Sequence, residues 1–103
     1  MIRIPDKIPD LLDWDEVNLD HAQRHGISRA EIEQAVRNPH RVVPAPPGDW
    51  SEPEGTIRLL MFGETDGGLR LLAVFAWPAY ADYGNGVTQI FTDRARPITA
   101  FKR

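Results

Sequence analysis

The hydrophobic period of this chain changes once, at Asn38-Pro39, and that change limits what it can fold into. Before it, Ile32, Ala35 and Val36 recur at the spacing of one helix face. After it, apolar residues come in short β-rich runs, Thr56 to Phe62 and Leu69 to Trp77, separated by Glu64-Thr65-Asp66-Gly67-Gly68, a hairpin signal. The chain therefore reads as helices first and strands second.

Local signals sharpen the helical half. A first helix is expected from about Asp15 to His25, closed by Gly26, which tolerates the left-handed cap conformation. Ser28-Arg29-Ala30-Glu31 has the form of a capping box, with Ser28 as N-cap and Glu31 reaching back to its amide. Ile27 and Ile32 occupy the two positions of a hydrophobic staple, and Asn38-Pro39 ends the second helix. Capping accounts for Glu31, which is therefore not a candidate catalytic base.

In the second half, His40 to Val43 is expected to form a strand, and the proline-rich segment Pro44 to Gly55 a loop. Leu71 to Phe75 is continuously apolar, as in a central strand covered on both faces. Pro78 to Gly86 reads as a further loop, Val87 to Thr92 as a last strand, and Pro97 as the start of a final helical turn. The expected fold is α+β: two N-terminal helices packed on a three- to four-stranded antiparallel sheet, with a short C-terminal helical turn. Residues 1–10, with Pro5 and Pro9, form an extended arm, Leu11 to Trp14 a short strand or lead-in, and residues 11–103 a single domain.

Composition narrows the function classes. The chain has 103 residues, 42% hydrophobic and 26% charged, as in a soluble globular domain. Without cysteine it has no disulfide, no thiolate chemistry and no cysteine-ligated zinc. No signal-like segment and no apolar run of membrane-spanning length occurs, so a cytoplasmic location without a membrane partner is expected. The net charge is −3, unevenly spread. From Val87 onward, Arg94, Arg96, Lys102 and Arg103 against Asp93 give +3, which leaves −6 on the first 86 residues. An acidic body with a basic C-terminal edge suits either a phosphate-binding edge or a merely solvated one.

Three groups of residues could carry chemistry. Asn18, His21, Ala22 and His25 share one helix face. His21 and His25 have the spacing of a metal pair but lack a third ligand, so no metal site and no cofactor is assigned. Histidines near a helix C-terminus also satisfy free carbonyls and the dipole, and imidazole suits acid–base work near neutral pH. The second group is Arg58, Arg70, Arg94 and Arg96; each is either a solvated or ion-paired strand residue or part of a phosphate clamp, because a guanidinium can bind two phosphate oxygens. The third is Trp50, Trp77, Tyr80 and Tyr83; Trp77 suits the core, while Tyr80 and Tyr83 could stack on unpaired bases.

Two segments taken together resemble a known family. Trp14-Asp15, then Asn18-x-x-His21-x-x-x-His25-Gly26-Ile27-Ser28-x-x-Glu31-Ile32, resembles the N-terminal signature of BrnT-like toxins in the RelE/ParE-like superfamily. Ile90-Phe91-Thr92 followed by Arg94-Ala95-Arg96-Pro97-Ile98-Thr99 resembles that family's closing strand and its Ala-Arg-Pro-x-Thr turn. The likeness runs in order from about residue 11 to 103. It implies a RelE-like fold, a bacterial type II toxin–antitoxin locus, a cognate antitoxin that covers the toxin, and metal-independent cleavage of RNA, free or on the ribosome, that arrests translation. By position it implies His25 as the acid–base residue, Arg58 and Arg96 as the phosphate holders, and Arg94 and Lys102 as residues that steer the strand; Arg70, from the basic set above, is expected as a further RNA contact. Family members commonly end in a longer basic tail than Phe101-Lys102-Arg103.

Two other classes compete. A non-catalytic protein-binding module of the same fold, partnering a small antitoxin-like protein, is favoured by the acidic charge. A helix-turn-helix DNA binder is disfavoured, because the second helix offers only Arg29 and Arg37 against Glu31 and Glu33, so no DNA binding by the chain alone is expected.

Overall fold

The computed structural model describes residues 4–46, 48 and 55–103. The elements run β1 (Leu11–Leu12), α1 (Glu16–Arg24), α2 (Arg29–Arg37), β2 (Arg41–Pro44), β3 (Ile57–Glu64), β4 (Arg70–Trp77), β5 (Ala79–Asp82), β6 (Thr88–Phe91) and β7 (Arg94–Lys102). Five strands form one sheet in the order β1-β7-β4-β3-β2, while β5 and β6 pair with each other as a separate hairpin. The β3–β4, β4–β7 and β2–β3 ladders are antiparallel, whereas Leu11 and Leu12 pair in parallel with Arg94 and Ala95.

The capping box forms as its sequence dictates. The Ser28 hydroxyl accepts from the Glu31 amide at 3.1 Å, and the Ser28 amide donates to Glu31 Oε1 at 2.8 Å. Ile27 and Ile32 are both buried in the core. That core is formed by Ile32, Ala35 and Val36 of α2 against Leu59, Met61, Leu71, Ala73 and Phe75 of the sheet, with Ala95 and Ala100 from β7. Each large side chain fully buried there contributes roughly 1.5–3 kcal/mol before the cost of ordering. The helix comes close to β3 at Gly63, where a Cβ would lie only 3.3 Å from the Ala35 Cβ. Trp14 seals one side of α2: its Nε1 donates to Glu33 at 3.1 Å and Arg29 stacks on its ring.

The expected fold class is corrected on three points. First, the sheet is a five-stranded mixed sheet, because β1 adds to β7 in parallel. Second, the two helices do not form one layer across it. α2 enters the core, whereas α1 runs beside β7, with Asp15 and His25 at its two ends touching Arg96 and Phe101. Among the described residues strand outweighs helix, which is confined to two nine-residue helices. Third, no C-terminal helical turn forms, since Arg94–Lys102 is a strand along β4. Pro97 falls at the register shift between Val74 and Phe75, where a ladder tolerates a residue without an amide hydrogen. Likewise, the segment expected as a loop after Pro78 contains β5.

The N-terminal segment is tied to this frame. Ile8 is fully buried, and its amide donates to Nε2 of His40 at 3.0 Å. The other ring nitrogen of His40 lies 2.9 Å from the Asn38 carbonyl, so the hydrogen sits on Nδ1. No helix among the described residues is long and apolar enough to cross a membrane.

Candidate functional site

Strand register decides which of the candidate residues can act together. Arg58 of β3 pairs with Ala76 of β4, and Ala76 pairs with Arg96 of β7. Residues directly opposite one another project from the same face, so the two arginines flank one small alanine in a single cross-strand row. Two strand spacings put their Cα atoms roughly 10 Å apart. Ala76 is fully buried between them. This face is opposite the one that carries Phe75 and Ala73 into the core.

Arg96 is held on several sides. Its Nη2 donates to Asp15 Oδ2 at 2.7 Å, and its guanidinium lies 5.9 Å from the Tyr80 ring centroid. Its Nε is buried and has no hydrogen-bond partner among the described residues. Asp15 is itself fixed at the start of α1: its Oδ1 accepts from the Asn18 amide at 2.8 Å, and its own amide donates to Asn18 Oδ1 at 2.7 Å. The buried Asn18 also donates to the Asp13 carbonyl. Thus α1 and β7 lock Arg96 from opposite ends of the sequence. The guanidinium retains donors for a second anion.

The remaining candidates are spread out. His25 follows α1, is exposed, and stacks on Phe101 with 4.3 Å between ring centroids. Phe101 lies five positions after Arg96, about 16 Å along the strand. His25 is therefore not brought to the Arg58–Arg96 row. Lys102 sits near it, since a Cβ on Gly26 would lie 3.3 Å from Lys102 Nζ. Arg94 pairs with Asp93 at 3.2 Å and stacks on Phe91, at the same end as Arg96. Arg70 opens β4 at the far end, where its carbonyl accepts from the Arg103 amide.

Among the aromatic candidates, Trp77 packs against the core and donates to the Thr92 carbonyl at 3.3 Å. Tyr80 approaches Arg96, and the exposed Tyr83 donates to Gln89 on the hairpin. Trp50 lies outside the described residues. No group of three histidine, aspartate or glutamate side chains converges among the described residues, so His21 and His25 gain no third ligand there.

Two features escaped the sequence reading. Asp15, read only as a helix start, is the partner of Arg96 across 81 residues; nothing local in the chain signals such a pair. Arg41 and Arg103 both stack on Phe62, at 5.1 and 4.9 Å. A period-two count along β3 would have set Phe62 on the same face as Arg58, but Arg41 and Arg103 reach it only through strand pairing. A cleft of about 330 Å³ between Lys7, Arg37, Asn38, Pro39 and His40 contains none of the candidate residues.

Comparison with known proteins gives no match to any family model, curated protein or solved structure.

Proposed function

We propose that this chain is the toxin component of a bacterial type II toxin–antitoxin pair, acting in the cytoplasm as a metal-independent ribonuclease on the RNA of translation. The observation that supports it is the Arg58–Ala76–Arg96 row, two guanidiniums on one face with only a methyl group between them. Such a pair suits a phosphodiester, whose single negative charge is shared by two oxygens, and suits still better the extra negative charge of a phosphorane. In this reading the arginines hold the phosphate and stabilise the charge that develops as the ribose 2′-hydroxyl attacks. Arg94 guides the strand at that end. His25, Lys102 and Arg70 contact it further along, and His25 reaches the reacting atoms only if the RNA draws α1 towards Arg96.

The test is incubation of purified protein with RNA, with and without ribosomes and with chelator present, beside an Arg58→Ala/Arg96→Ala variant. Chelator-resistant cleavage that drops by at least roughly a hundredfold in the variant is expected, the size typical of removing preorganised charge stabilisation. Equal cleavage by both proteins would reject the arginine row as the site.

One observation favours a second reading. Arg96 is already neutralised by Asp15 at 2.7 Å, as in a structural ion pair, and His25 stands apart. A non-catalytic module of this kind would bind a small protein partner and leave RNA intact under every condition.

A further inference from the structure

We propose that Asn85 is a self-modifying residue: the backbone nitrogen of Gly86 closes on its side chain, and the product is isoaspartate. The chain has three asparagines, and their surroundings differ in the features this reaction needs. Asn18 is buried, and its side chain donates to the Asp13 carbonyl and accepts from the Asp15 amide. The nitrogen that follows it, on Leu19, donates to the Asp15 carbonyl in the first turn of α1. Asn38 is followed by Pro39, whose nitrogen has no hydrogen to lose, and its Nδ2 donates to the Glu64 carbonyl and to Asp66. Asn85 is exposed in the turn between β5 and β6, and among the described residues neither its Nδ2 nor the Gly86 amide is committed to an acceptor.

The turn favours closure. The Val87 amide donates to Asn85 Oδ1 at 3.3 Å, an Asx-type bond that folds the side chain towards the following backbone and polarises Cγ. Gly86, at φ +80, has nothing within 4 Å of where a Cβ would stand, so the ring meets no obstacle there. Nucleophile and electrophile are held in adjacent residues, which supplies the proximity the closure needs. Hydroxide takes the Gly86 amide proton, the nitrogen bonds to Cγ, the Cγ–Nδ2 bond breaks, and Nδ2 leaves as ammonia after taking a proton from water. Water then opens the succinimide. Addition at the main-chain carbonyl carbon of Asn85 leaves the backbone running through Cγ, which is isoaspartate; addition at Cγ gives ordinary aspartate. Asp66-Gly67 has the same connectivity, but a carboxylate is a poorer electrophile than an amide, and Asp66 is held by Asn38.

Isoaspartate lengthens the main chain by a methylene inside a tight connection. The Tyr83 amide donates to the Val87 carbonyl at 3.0 Å across only Gly84, Asn85 and Gly86, and that bond is expected to weaken. Among the described strands β5 and β6 pair only with each other, so their ladder has no third strand to absorb the change. The five-stranded sheet does not include them, and the effect is therefore confined to the hairpin.

Asn85 takes no part in the proposed cleavage of RNA, so either claim can fail without the other. The test ages the purified full chain at mildly alkaline pH, maps it by peptide mass spectrometry, and labels the product with an isoaspartyl methyltransferase. The peptide containing Asn85 is expected to gain the mass difference between an amide and an acid, at a rate that rises with hydroxide concentration, and to accept the label. The peptides containing Asn18 and Asn38 are expected to stay unchanged. Asn85→Gln should remove the signal, because closure then needs a larger ring. Hydrogen exchange of the Tyr83 amide should quicken in the converted protein but not in freshly prepared Asn85→Asp, which carries the same charge on an unaltered main chain. The urea midpoint should stay in place. No mass gain at Asn85, or equal gain at the three asparagines, would overturn the proposal. A lowered urea midpoint, or unchanged Tyr83 exchange after conversion, would overturn the confinement of its effect to the hairpin.

Discussion

Asp15 and Arg96 meet at 2.7 Å although 81 positions separate them, and the same carboxylate caps α1. One side chain thus fixes both the start of a helix and the orientation of a strand arginine. Asp15→Ala removes the cap and the ion pair together and is expected to cost about 1–2 kcal/mol, most of it the cap, since the pair is partly solvent-exposed. Asp15→Asn keeps a capping oxygen and should cost less. Urea denaturation of the two variants checks the order.

His25→Ala provides a separate test of where the chemistry lies. In the ribonuclease reading, because His25 lies at the Phe101 end of β7, its loss should leave phosphate binding at the arginine row unchanged and reduce RNA affinity only a few-fold. A collapse of cleavage comparable to that of Arg96→Ala would mean that α1 moves when RNA binds.

The contact of α2 with the sheet depends on Gly63. A side chain there would meet the Ala35 Cβ and the Met61 Cε, both at 3.3 Å from the first added carbon. Gly63→Val is therefore expected to destabilise by about 1–3 kcal/mol through overpacking, seen as a lowered urea midpoint. Gly67→Val, at a position with nothing within 4 Å of its Cβ, should change stability much less.

His40 tethers the N-terminal segment. His40→Ala leaves the amide of the buried Ile8 without its acceptor, at a cost of about 1–3 kcal/mol if water does not replace it. Faster hydrogen exchange of the Ile8 amide, ahead of any change in β4, is the expected signature.

The parts of this fold governed by neighbours in sequence were readable, and those governed by strand pairing were not. Ser28 and Glu31 cap α2 within four residues of one another, and Ile32, Ala35 and Val36 share a face by helical spacing alone. Pro97, in contrast, carries the same local signal whether it opens a helix or occupies a bulge; only pairing with β4 makes it a strand residue. The parallel addition of β1 was equally hidden, since two residues of strand have no period to detect. Among the candidate site residues, Arg58 and Arg96 were visible as cations in apolar surroundings, but their shared row arises from the pairing of each with Ala76. Asp15 became part of the site only through the turn of chain that lays α1 beside β7.

That placement of α1 has a consequence for how the protein behaves in a crowded cell. β1 covers β7 only at Arg94 and Ala95, and along the rest of that strand its neighbour is α1, which runs beside it. At the opposite border β2 has four residues and ends in Pro44, which offers no amide hydrogen to a newcomer. Both borders are thus made poorer templates for an added strand, β2 by its shortness and its proline and β7 by β1 and the helix beside it.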